Sequence, residues 1–75
     1  MLPPTSTSAA SVGAALREMR QEAGIKIREM ARAVGISATT LSLYERGRRP
    51  VSAETVARYA RAIADEIAHR RGDAA

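Results

Sequence analysis

The stretch from Ile27 to Gly47 reads IREMARAVGISATTLSLYERG, and its internal punctuation decides the fold. Met30, Ala31 and Val34 fall on one side of a short helix spanning about Ile27 to Val34. Gly35 ends it, because glycine adopts the left-handed C-terminal cap without a steric penalty. Lys26, at the N-cap position, is a poor capping residue and leaves the start of this helix open. Ser37 is a good N-cap for the next helix, and Ile36 and Leu41 have the spacing of a hydrophobic staple around it. Leu41 and Tyr44 then point inward, whereas Ala38, Thr39, Ser42, Leu43 and Arg46 point outward, and Gly47 terminates the run. Only Gly35, Ile36 and Ser37 separate the two helices. So short a link forces a steep crossing. It needs positive φ at Gly35, a small residue such as Ala31 where the helices touch, and Ile36 as an apolar plug in the corner. The outer face of the second helix becomes a rigid edge suited to a DNA major groove.

Upstream, Val12, Leu16, Met19 and Ala23 recur at helical steps, with Ser8 or Ser11 available to cap the start and Gly24 placed to end the helix. Downstream, Arg48, Arg49 and Pro50 make a basic loop. Ser52 caps a further helix, with Val51 and Val56 as a second staple. Val56, Tyr59, Ala60, Ile63 and Ile67 form a stripe reaching about His69, as one helix or as two joined near Ala64 and Asp65. No stretch alternates with a period of two, so no sheet is expected. With Tyr44 and Tyr59 as the only aromatics, aliphatic residues must build the core, a composition that favours helices. The reading is therefore an all-α, compact domain of four to five helices over residues 11–70. Residues 1–10, which contain Pro3, Pro4 and several Ser and Thr but no charged side chain, read as a flexible N-terminal tail. They lack the basic start and apolar centre of a signal peptide. Residues 71–75 read as a frayed C-terminus.

Composition narrows the function. A 75-residue chain has little room for an enclosed catalytic cavity. It has no cysteine, which removes disulfides, thiolate metal sites and cysteine nucleophiles and agrees with a reducing cytoplasm. The single histidine, His69, lies four residues after Asp65, and two ligands do not make a structural zinc site. No serine has a base placed near it by any pattern in the sequence. No enzyme activity, metal or cofactor is expected, and no stretch is long enough to span a membrane.

The net charge of +4 is unevenly placed. Lys26, Arg28, Arg32, Arg46, Arg48 and Arg49 are opposed between residues 26 and 49 only by Glu29 and Glu45, while the six bases outside that window face six acids. The excess thus surrounds the two hinged helices, where it suits a polyanion.

The segment 27–47 resembles the helix-turn-helix of the phage-repressor family, the Cro/CI-type or XRE-type regulators. The resemblance is carried by Ala31, Gly35, the apolar Met30, Val34, Ile36 and Leu41, and the ending Tyr44-Glu45-Arg46-Gly47. It extends from Leu16-Arg17-Glu18-Met19-Arg20 to Ile63. It implies a lambda-repressor-like fold and a structural salt bridge between Arg20 and Glu45, with Arg20 on the edge of its helix beside an inward Met19. It further implies base contacts from Ala38, Thr39, Ser42 and Leu43, and phosphate contacts from Lys26, Arg28, Thr40, Arg46, Arg48 and Arg49. Three positions depart from the family pattern. Ile27 stands where glutamine is common, Lys26 where Ser or Thr is common, and Leu43 where Arg, Lys or Gln is frequent. The reading face therefore lacks the side chains that make bidentate base contacts, leaving thymine methyl groups, phosphates and DNA shape to supply affinity.

The expected function is that of a sequence-specific double-stranded DNA-binding transcriptional regulator in the cytoplasm, a repressor acting as a homodimer through the last helix at Ile63 and Ile67. The alternative is a helix-turn-helix module that binds protein, such as an antitoxin or co-regulator. Ile27 and Leu43 on the outer face favour that alternative; Arg46, Arg48 and Arg49 oppose it.

Overall fold

A computed structural model describes residues 9–74, and within them four helices and no strand. They are α1 (Ala9–Glu22), α2 (Ile27–Val34), α3 (Ala38–Glu45) and α4 (Ala53–Ala74). Helix α1 packs on α3 and α4, and α2 packs on α3 and α4, so the short α2–α3 pair is braced from both sides. The core is Leu16, Ala23, Ile25, Met30, Ala31, Val34, Leu41, Tyr59 and Ile63. No helix among the described residues is long and apolar enough to cross a membrane.

The local signals in the centre of the chain act as expected. Gly35 caps α2 at φ 85°, and its N–H donates to the Ala31 carbonyl. Ser37 Oγ accepts from the Thr40 amide at 3.1 Å, which fixes the first turn of α3. Ser52 does the same for Thr55 at the start of α4. Lys26 is a donor-only side chain and caps nothing. The Glu29 carboxylate instead accepts from the Lys26 backbone N–H at 3.1 Å, one half of a capping box, and holds the start of α2 at Ile27.

Four expectations need correction. Met19 is 40% exposed, and the inward position on α1 is taken by Arg20, which is buried. The inner stripe is Gly13, Leu16, Arg20 and Ala23, again at helical spacing. Gly13 is there because α1 lies directly against the end of α3: a Cβ on Gly13 would overlap the Tyr44 carbonyl oxygen. Ser11 lies inside α1 rather than capping it, Ala9 and Ala10 are helical rather than part of a tail, and Ser8 with the rest of residues 1–8 lies outside the described residues. Finally, α4 is one continuous helix. It passes Ala64 and Asp65 unbroken, which decides between the one helix and the two that the sequence left open. Ala60, assigned to its inner stripe, is exposed.

Candidate nucleic-acid interface

The orientation of α3 is set by a buried polar cluster at its last residue. Glu45 is 5% exposed and accepts three hydrogen bonds. Arg20 Nε donates to its Oε2 at 2.8 Å, Arg20 Nη2 to its Oε1 at 2.9 Å, and the Tyr59 hydroxyl to Oε2 at 2.7 Å. The remaining guanidinium arm, Arg20 Nη1, donates to the Ile25 carbonyl at 2.9 Å. One carboxylate and one guanidinium therefore tie together α1, the loop before α2, the end of α3 and the middle of α4. No buried side-chain polar atom among the described residues lacks a partner. The fork-to-fork geometry makes this a strong, directional pair. The hydrogen bond to Glu45 raises the Arg20 pKa further, against the opposing effect of burial. The Tyr59 phenol is pushed well above its usual value, first by burial and then by its bond to Glu45. The resemblance implied the Arg20–Glu45 pair but not Tyr59, which the sequence shows only as one apolar-stripe member. Ile25, a buried loop residue, was also missed.

With α3 held in this way, its opposite face is turned outward. Ala38, Thr39, Ser42 and Leu43, the four expected base-contact residues, line one shallow hollow of about 350 Å³ together with Ile27 and Arg46. Thr39 and Arg46 are exposed and the others half-buried. Ile27 comes from the first turn of α2, so the two helices share this surface. An adjoining hollow of about 150 Å³ is lined by Arg17, Arg20, Ile27, Ser42, Glu45 and Arg46. That brings Arg17 beside the reading face, a cation the charge count had assigned to the balanced remainder of the chain. Its place three residues before Arg20 on α1 was the available signal.

The other expected phosphate contacts do not line this hollow. Lys26 and Arg28 flank Ile27 at the start of α2, and Arg48 and Arg49 follow α3; all four are exposed. Thr40 is half-buried, and its Oγ1 accepts from Ser37 Oγ at 2.9 Å, which leaves its own O–H proton to donate outward. The arrangement is a half-apolar hollow on a helix edge, with Arg46 in its lining and Arg17 in the hollow beside it.

The fold recurs among known proteins. Residues 11–71 match the family model described as a helix-turn-helix domain. A crystal structure of the clp gene regulator ClgR from Corynebacterium glutamicum superposes with a TM-score of 0.73 at 36% identity, over 93% of this chain and 79% of that one. A second crystal structure of ClgR from C. glutamicum gives a TM-score of 0.70 at 38% identity, over 89% of this chain and 92% of that one. No curated protein matches the chain.

Proposed function

This chain belongs to the helix-turn-helix domain family, and on that premise we propose that it is a sequence-specific, double-stranded DNA-binding transcriptional regulator. It docks α3 in the major groove and represses by occupying its site. The observation that carries this reading is the convergence of Ala38, Thr39, Ser42 and Leu43 on one outward hollow with Arg46 at its edge. Phosphate contacts come from Lys26, Arg28, Thr40, Arg46, Arg48 and Arg49, with Arg17 added by its position beside Arg46. The N–H groups that the first turns of α2 and α3 leave without an intrahelical partner suit phosphate oxygens as well. A cytoplasmic location goes with this reading.

The active species is a homodimer. Of the two residues expected at the interface, Ile63 is buried in the core, whereas Ile67, 40% exposed, borders with the equally exposed Met19 a hollow of about 530 Å³ between the end of α1 and the second half of α4. Glu22 lies on one wall and Arg70 and Arg71 on the other, so the patch carries both signs of charge and suits a second copy of itself. Two copies would present their α3 helices roughly 34–36 Å apart, one DNA turn.

The test is fluorescence anisotropy with random-sequence duplex at low and rising salt. Each phosphate neutralised should add about −0.9 to the slope of log K against log salt. Arg48→Ala and Arg49→Ala should each flatten the slope by about 1. Binding that ignores salt, or no binding at low salt, refutes the proposal and favours a protein partner on the same face.

A further inference from the structure

We propose that the hollow between the first turn of α2 and the outer face of α3 seats the C5-methyl group of thymine, so that this domain selects T·A pairs by apolar contact. The proposal rests on the DNA-binding reading above and names what that site reads.

Three of the six lining residues, Ile27, Ala38 and Leu43, are apolar, and Thr39 adds a methyl group. Ile27 and Ala38 pack against the hydrophobic core, so the floor of the hollow is fixed. Leu43 does not belong to that core, although it is half-buried. Its side chain forms a wall of the hollow. A leucine in that position, on a surface otherwise edged with cations, needs an occupant that is both anionic and locally apolar. Duplex DNA is such an occupant. In the major groove the apolar group on a base edge is the thymine methyl; guanine, adenine and cytosine offer only hydrogen-bonding groups there. The lining holds no Asn, Gln, Asp, Glu or Lys, and its single arginine, Arg46, lies at the C-terminal end of α3, where it suits a phosphate better than a base. The charge fits the same occupant: Arg46 lines the hollow, Arg17 lines the neighbouring one, and Lys26, Arg28, Arg48 and Arg49 are exposed at chain positions next to α2 and α3.

The experiment begins with the full chain and a duplex library of random sequence, from which preferred sites are selected at low salt. Each thymine of the selected site is then replaced singly by uracil, which removes the methyl and keeps every hydrogen-bonding group. At the thymine seated on α3 this should weaken binding about three- to fivefold, the value of one buried methyl. Leu43→Ala should bind the thymine and uracil duplexes equally, and should melt as the parent does because Leu43 lies outside the core. Loss of the uracil penalty in that variant supports the proposal. Two results overturn it while leaving DNA binding intact: uracil is neutral at every position, or Leu43→Ala keeps the full penalty. Failure to select any duplex overturns both readings and assigns the apolar hollow to a protein partner.

Discussion

Replacing Glu45 with glutamine should destabilise this domain about as much as truncating a buried leucine or methionine of its core to alanine. The glutamine amide is nearly isosteric with the carboxylate, so the change is in charge and hydrogen bonding. Glu45 Oε2 accepts from both Arg20 Nε and Tyr59 OH, and Oε1 accepts from Arg20 Nη2. With its oxygen at the Oε2 position, glutamine keeps two of these bonds and sets its NH2 against the Arg20 Nη2 donor. The guanidinium keeps its bond to the Ile25 carbonyl but loses its counter-charge, in a side chain that is only 11% exposed. Stranding one partner of a buried pair costs about 3–5 kcal/mol, and the two retained bonds argue for about 3. A chain of this length has a net stability of roughly 4–11 kcal/mol. The melting temperature, followed by helical circular dichroism, should therefore fall by roughly 12–24 °C. The triple variant Arg20→Met/Glu45→Leu/Tyr59→Phe removes the charges together with the hydroxyl they satisfy. It should recover much of the loss, because an apolar replacement of a buried pair is often neutral. If Glu45→Gln melts and binds duplex as the parent does, the cluster has no structural role. If the triple variant is as unstable as the single one, the loss comes from packing rather than from a stranded charge.

Three other outcomes are expected. Gly13→Ala drives a Cβ into the Tyr44 carbonyl oxygen, and since backbone cannot yield cheaply, α1 and α3 must separate; overpacking of this kind should cost about 1–3 kcal/mol in a thermal melt, and an unchanged melting temperature would refute the close approach. Tyr59 has a folded-state pKa raised above the ordinary 10.0, so its contribution is complete below that pH and is lost as pH rises toward the higher folded value. Denaturant titrations above pH 10 should show the parent losing stability faster than Tyr59→Phe, and parallel curves would contradict the buried phenol. Ile67→Gln replaces an exposed apolar residue on α4, so it should leave the monomer's melting intact and weaken self-association in sedimentation; a parent chain that stays monomeric at saturating specific duplex would reject the dimer.

The middle of this fold is legible in its sequence because its signals are local. Gly35, Ser37 and Ser52 act on backbone groups within a few residues, so the end of α2 and the starts of α3 and α4 follow from spacing alone. Helix α1 was harder to read. An apolar template fills the position between Leu16 and Ala23 with Met19, but the inward residues are Gly13 and Arg20, types that such a template assigns to solvent. What turns Arg20 inward is its partner 25 residues away, and what turns Gly13 inward is the backbone of α3. Neither leaves a mark on the helix that carries it. The four outward residues of α3 could be read from its own periodicity, whereas Ile27 could be placed beside them only once the crossing of α2 and α3 was known.

The buried cluster and the reading face are parts of one device. A hydrophobic contact at the end of α3 would hold the helix in place but would tolerate rotation about its axis, since apolar packing is not directional. A forked pair is directional: Arg20 fixes both oxygens of Glu45, and Tyr59 fixes one of them from the other side. Ser42 and Arg46, which flank the cluster at Glu45, border the hollow that meets DNA in our proposal. The third arm of the same guanidinium holds the Ile25 carbonyl, two residues before Ile27 and one before Lys26. A rotation of α3 that moved Leu43 away from Ile27 would therefore have to break hydrogen bonds in the interior. A buried ion pair adds little net stability over apolar packing, and we infer that this one serves to make a geometry unique. The geometry kept here is the distance between a wall on α3 and a floor on α2. A variant that repacks the cluster with apolar side chains should consequently retain its helices and its salt-dependent affinity for random duplex, while losing discrimination between a selected site and random sequence. Equal discrimination by the parent and the triple variant would show that the reading face is held by the core alone.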